Sequence, residues 1–327
     1  MENIKVCTIG GGTGMPVINQ ALVRAGFNDI RSIVTTFDNG GDTGRLRTDE
    51  RGKILATSDY WRSLMSLWRD GEQKKIWEDM LKYRDSRGRN FGNSFFRFMS
   101  EKSGSLASVD TLFKKLTLAN LRGKVVPVSL SPADICFECK SGKVFEGEHF
   151  LDDMRMSNDF VKKIWLKPKV KANPEAIESL KKADLIIICP GSVYGSLITN
   201  FLVDGVAKAI AESKAKKVLM VNIMSVANDG DVGNQEKYAD LFKKYIDVDF
   251  DLLLMADLGK LNPEKIKKVI NYYELENSHQ IKLVKSPGNN VVMANIATID
   301  EMNWRLRHSK SKLAEFFAKM DLCPRKN

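Results

Sequence analysis

The sequence predicts an α/β fold with a mostly parallel sheet, and three observations carry that expectation. A buried-strand pattern at residues 4–9 runs straight into Gly10-Gly11-Gly12-Thr13-Gly14, a glycine-rich turn that opens a helix. Leu185-Ile186-Ile187-Ile188-Cys189 is the continuous apolar run of a strand buried on both faces, and it too leads into a glycine turn and a helix. Around them strand and helix patterns alternate, as βα units with parallel strands do.

Along the chain, residues 16–26 suit a helix, with Pro16 tolerated in its first turn. Residues 31–37 form a second β-branched strand, which ends in Asp38-Asn39-Gly40-Gly41-Asp42-Thr43-Gly44, another glycine-rich loop. Helices are expected over 58–83, from the spacing of Trp61, Leu64, Met65, Leu67 and Trp68, and over 90–102. A basic segment at 84–89 separates them. The middle turns β-rich, with strands at 125–130, 133–140 and 143–145, Ser141-Gly142 as a hairpin turn, and a strand at 161–170 with Pro168 near its end. Asn173-Pro174 supplies an N-cap and a proline at the first helical position. The alternation then resumes with strands at 185–189, 217–222 and 250–255 and a helix over 197–211. One domain over 1–327 is expected, with an insertion at about 84–172.

The chain has 327 residues, 43% apolar and 28% charged, enough for a large core and unlike a disordered segment. Its longest apolar runs, 185–189 and 252–256, fall far short of a membrane span, and its first residues lack a signal-peptide pattern. A cytoplasmic protein is the expectation. Five cysteines do not read as a disulfide framework. Cys136 and Cys139 form one C-x-x-C with no second pair or nearby histidine, so two strand thiols explain them better than zinc. The net charge of +10 comes from short lysine clusters mixed with acids, without an RNP-type aromatic motif or arginine-rich arm. Solvated helix faces account for it better than nucleic acid, with an anionic small ligand next.

A strand ending in glycines at a helix start is suited to anions, because backbone amides converge there and the helix dipole adds positive potential. The dinucleotide pattern G-x-G-x-x-G fails at Met15 and Val17 when counted from Gly10 and Gly12, and at Thr13 from Gly11. The Walker pattern fails because no Lys-Ser or Lys-Thr follows Gly14. A phosphate site remains, with its ligand open. The glycine loops at 10, 39 and 191 all fall at carboxyl ends of strands, where open α/β sheets bind ligands. In the second loop Asp38, and less so Asp42, can bind a ribose or a divalent cation, while Arg45 and Arg47 supply planar donor forks. A turn capped by Asp and Asn is the competing explanation. Asp59 can stabilise a helix start or serve as a metal ligand or base, and Asn93 can cap a helix or touch a ligand. Amides near Gly191 and Ser192 could form a second anion cradle, with Ser192 and Ser196 as hydroxyl donors. His149, His279 and His308 are scattered, so no Ser-His-Asp hydrolase is supported.

Together these residues resemble the gluconeogenesis-factor (YvcK-type) family, related to 2-phospho-L-lactate transferases (CofD-like). Ile9-Gly-Gly-Gly-Thr-Gly14 is similar to the family's opening loop, and Asp38-Asn-Gly-Gly-Asp-Thr-Gly-Arg-Leu-Arg47 to its D-D-G-G-S-S-G-R-L-R element. Gly92-Asn93 resembles its G-N, Arg122-Gly-Lys-Val-Val-Pro-Val128 its R-G-x-V-x-P-V, Cys189-Pro-Gly-Ser-Val-Tyr194 its G-P-G-S-L-Y, and Asn222-Ile-Met-Ser225 its N-x-M-T. The resemblance implies a Rossmann-like, doubly wound sheet and a regulatory protein of carbon metabolism and cell shape that binds a UDP-sugar or similar diphosphate ligand. A homodimer is compatible with it, and no membrane or nucleic-acid partner is expected. The implied ligand-binding residues are Gly10, Gly11, Gly12, Thr13, Gly14, Asp38, Asn39, Gly40, Gly41, Arg45, Asn93, Gly191, Ser192, Tyr194, Ser196 and Arg307. The transferase branch implies instead a Mg2+-dependent transfer of a phospholactyl group to a deazaflavin hydroxyl. Asp38 and Asp59 would then be the catalytic acids and metal ligands. The chain departs from the family at Asn39, where an acid is usual, and at Ala56-Thr-Ser-Asp59, which replaces P-P-G-D. It departs again at Gly195, where threonine is common, and at Ser309, which replaces the Asp of an R-H-D-x-x-K stretch.

Overall fold

The first strands, β1 (Lys5–Gly10), β2 (Asp29–Val34) and β3 (Gly123–Pro127), lie side by side and parallel. In the computed structural model, which describes residues 4–50, 52, 54–153, 159–284 and 288–320, they form one half of a seven-stranded sheet. Next come β4 (Asp134–Cys139), β5 (Val144–Glu146) and β6 (Val161–Lys167), which make a separate antiparallel sheet in the order β5-β4-β6. The chain then returns to the central sheet with β7 (Leu185–Ile188) beside β1 and β8 (Lys216–Met220) beside β7. After the two-residue β9 (Met224–Ser225), β10 (Leu252–Ala256) follows, then β11 (His279–Gln280) against β9, and β12 (Val291–Ala294) at the edge. A closing hairpin joins β13 (Ala297–Asp300) and β14 (Arg305–His308).

The central order β12-β10-β8-β7-β1-β2-β3 is parallel throughout. The chain builds outward from β1 to β3, then restarts at β7 and builds the other way. The fold is therefore Rossmann-like and doubly wound, and its topological switch point lies between β1 and β7. Side chains alternate between two cores: Val6, Leu185 and Ile187 face one, Cys7, Ile9, Ile186 and Ile188 the other. Burial on both faces is why these strands read as unbroken apolar runs.

One face carries α1 (Gly14–Arg24), α3 (Ser58–Leu67), α5 (Phe91–Ser103), α6 (Val109–Thr117) and α13 (Lys310–Lys319), with α2 (Gly41–Asp49) at the rim and α4 (Glu72–Lys82) outside. The opposite face carries α8 (Pro174–Lys182), α10 (Val206–Glu212), α11 (Gln235–Ile246), the small sheet and the short α7 (His149–Asp153). The short α9 (Thr199–Phe201) and α12 (Pro263–Leu275) complete the helices. Within residues 84–172 the structure thus places α5 and α6, the sheet strand β3, and the antiparallel trio.

Two expected helices are interrupted. The one over 58–83 breaks because Trp68 turns extended and bridges to Leu121, and α4 restarts after Gly71. The one over 197–211 begins earlier, as a π-helical turn at Val193–Ile198, and breaks before Gly205, whose φ is +96°. The glycine loop at 40–44, read as irregular, winds into α2. Asn173 caps α8 as expected, accepting from the Glu175 amide. Among the described residues no helix is long and apolar enough to cross a membrane.

Candidate functional site

The switch point is built by backbone. Ile9 pairs with Ile188, and beyond that pair the chain diverges into the loops at 10–14 and 189–192. Gly14 lets α1 abut the second loop: a Cβ there would overlap the carbonyl oxygen of Pro190. Gly12 sits at φ +62°, a conformation that glycine adopts without strain. Thr13, in the N-cap position of α1, makes no side-chain capping bond, so the first-turn amides of that helix have no acceptor from their own cap residue. The Asp59 carboxylate packs against this loop: a Cβ at Gly11 would overlap its Oδ2, and the Gly12 amide favours its charged form. A side-chain anion thus already rests on this loop, as a phosphate oxygen would.

Asp59 stands in the first turn of α3 and is buried. Burial, and then the nearby charge of Asp38, pushes its carboxyl up to about 6, against the pull of Arg62 at 3.7 Å. Asp38 accepts the Gly40 amide on Oδ1 at 2.8 Å and the Ser58 hydroxyl on Oδ2 at 2.6 Å. A third acid, Glu148, enters from the segment before α7. Burial first, then the charges of Asp38, Asp152 and Asp59, raise it to about 8 and favour its protonated form. So much carboxylate in one crevice cannot all ionise unaided. Asp38 and Asp59, the first close enough to raise the second, fit a divalent cation by donor type. Among the described residues no group of three or more metal-ligating side chains is assembled.

The remaining predicted residues go to different places. Asn39 Oδ1 accepts the His149 amide at 2.9 Å, tying the second loop to the Glu148 segment. Gly40 and Gly41 open α2. Arg45 reaches outward to the carbonyls of Arg87 and Gly88, whereas Arg47 is buried and donates to Phe37 and Ala133 carbonyls and to Asp134. Asn93 is spent inside: it accepts from Trp61 Nε1 and donates to Asp42 and Thr43. In the third loop the Gly191 amide donates to Asn222 Oδ1, whose own amide returns to the Gly191 carbonyl. Ser192 caps the π-turn, its Oγ accepting the Gly195 amide, and its carbonyl takes the Ser196 amide. Ser196 Oγ comes within 3.3 Å of where a Gly12 Cβ would stand. Tyr194 points away, its hydroxyl donating to Val161. Arg307 is exposed on β14 opposite Thr298.

Crevice residues therefore come from all three loops: residues 10–14, Asp38, Gly191 and Ser196, joined by Asp59. Sequence reasoning missed Glu148. It also missed a cleft of about 740 Å³ that continues from Thr13 along α1 and is lined by Val17, Trp61, Arg62, His308 and Lys310. Nothing local marks either, because their neighbours come from distant parts of the chain.

Comparison with known proteins follows the same lines. The family described as 2-phospho-L-lactate transferase CofD matches residues 6–297. The gluconeogenesis factor of Listeria innocua is 27% identical, covering 99% of this chain and 97% of that one. The gluconeogenesis factor of Bacillus subtilis is 28% identical over 95% and 96%. A crystal structure of a Bacillus halodurans protein superposes with a TM-score of 0.82 at 26% identity, covering 97% of this chain and all of that one. A second crystal structure of that protein, described as a member of the UPF0052 family, gives 0.81 at 27%.

Proposed function

The chain belongs to the 2-phospho-L-lactate transferase CofD family, and from that premise we propose that it binds a nucleotide-sugar or similar diphosphate ligand at the switch point, in a regulatory role. One observation carries the reading: the start of α1 lacks a side-chain cap, and a carboxylate oxygen, that of Asp59, already rests against its glycine loop at Gly11. Phosphate oxygens would take the amides at residues 12–14, and the cleft along α1 has the volume of a small-molecule site for the rest of the ligand. The relatives named gluconeogenesis factor support a role in carbon metabolism. Calorimetry with UDP-N-acetylglucosamine tests the site. Wild type should bind and Gly12→Asp, which puts a charge and a strained residue in the loop, should lose at least about tenfold. Equal binding by both proteins, or none by either, would sink the site.

A second reading is favoured by the family description and by the Asp38–Asp59 pair: an enzyme that transfers a phosphorus-containing group. Magnesium, held by Asp38 and Asp59, would neutralise phosphate oxygens of a diphosphate donor. The chain's own part would be to position that donor on the glycine loop. Turnover that Asp59→Asn abolishes while the fold persists would support this reading over the regulatory one.

A further inference from the structure

The three walls of the crevice are chemically unequal. The first offers amides at an uncapped helix start. The third has spent its amides at Gly191, Gly195 and Ser196 on Asn222 and Ser192. What faces the crevice there is oxygen: the Ser196 hydroxyl and the carboxyl of Glu148. Glu148 Oε1 stands 2.8 Å from where a Cβ of residue 195 would be, and Oε2 stands 3.4 Å from the equivalent point at Gly40. The side chain is thus wedged between the second and third loops, beside Asp38, whose Oδ1 stands 3.3 Å from the same point at Gly40.

Two residues of the neighbouring loops touch the segment that carries Glu148. Asn39 accepts the His149 amide, and Gly195 leaves the space that the Glu148 carboxyl fills. Any side chain at 195 would have to displace that carboxyl. Asn39 and Gly195 thus accommodate one loop in one pose.

Resting on the ligand-binding reading above, we propose that Glu148 is a specificity-determining residue that reserves the third wall for a hydroxyl-bearing sugar and excludes a phosphate from it. A phosphate is held best by amide or cationic donors, and this wall's named amides are spent, which leaves the carboxyl cluster of Glu148 and Asp38 to disfavour a second anion. A carboxyl and a serine hydroxyl exchange hydrogen bonds with sugar hydroxyls, which both donate and accept. The ligand's orientation follows: phosphates on the first loop, sugar against Glu148.

The test compares UDP with UDP-N-acetylglucosamine by calorimetry at one fixed pH. Wild type should prefer the sugar-bearing ligand by about tenfold, the worth of roughly one well-placed hydrogen bond. Glu148→Ala should abolish that preference and tighten inorganic pyrophosphate. Glu148→Gln, which keeps shape and an acceptor oxygen, should retain it. Gly195→Ala, approaching from the opposite side, should push the carboxyl out and reproduce the Glu148→Ala result, so misfolding of one variant leaves the other as the test. Retention of the full preference in Glu148→Ala or Gly195→Ala overturns the inference. So does a wild type that binds the two ligands equally, an outcome that leaves the diphosphate reading standing. Binding of neither ligand defeats that reading and this inference with it.

Discussion

His308 illustrates how one side chain carries a pH dependence that its sequence neighbours do not announce. The residue is half-buried on β14, but its Nε2 is sealed from solvent with no partner among the described residues, and burial pushes the imidazole down from 6.5 to about 4. Between those values the unfolded chain binds more protons than the folded one, so the stabilisation is complete above pH 6.5 and is lost as pH falls towards 4. Denaturant unfolding at pH 7 and pH 4 should show wild type losing on the order of 3 kcal/mol more than His308→Gln over that interval. Identical pH dependence in both would contradict the assignment. Residues whose roles are local were legible in the sequence. Asp38 and Asp59 stand at a turn and a helix start, and both reach the crevice. Glu148 was illegible because its loop docks on a residue 110 positions away, as His149 does on Asn39. Arg45 and Arg47 look equivalent in sequence. Only the folded chain shows one outside and one buried on main-chain carbonyls.

At the scale of elements, α2, α3 and α5 are fastened by the Asn93 side chain, which accepts from Trp61 and donates to Asp42. Removing it strands a buried indole N–H and a nearly buried carboxylate, each costing roughly 1–3 kcal/mol. Asn93→Ala should therefore lower unfolding free energy by about 3 kcal/mol. A loss under about 1 kcal/mol would leave the side chain available for a ligand instead. Strand positions were readable because burial on both faces leaves an unambiguous apolar run. Helix interruptions were not, since Trp68 leaves its helix to pair with Leu121, and the Val193–Ile198 turn widens where Asn200 inserts its amide towards the Ser196 and Gly10 carbonyls. Such causes are tertiary and leave the local apolar spacing intact.

For the whole molecule, the strand order decides where chemistry can happen. Because β7 returns beside β1, loops separated by about 180 residues of sequence face each other across one crevice, as the pairing of Ile9 with Ile188 shows. The sequence placed all three glycine loops on the carboxyl rim of a parallel sheet. It could not say that the third loop's amides are spent, or that a cleft opens along α1 on the face of α3 and α13. The most direct measurement is a crystal structure of the protein with UDP-N-acetylglucosamine. The diphosphate should lie within hydrogen-bond distance of the amides at residues 12–14, at the start of α1. A ligand bound away from the β1–β7 switch point, with that loop untouched, would contradict the assignment of this crevice as the phosphate site.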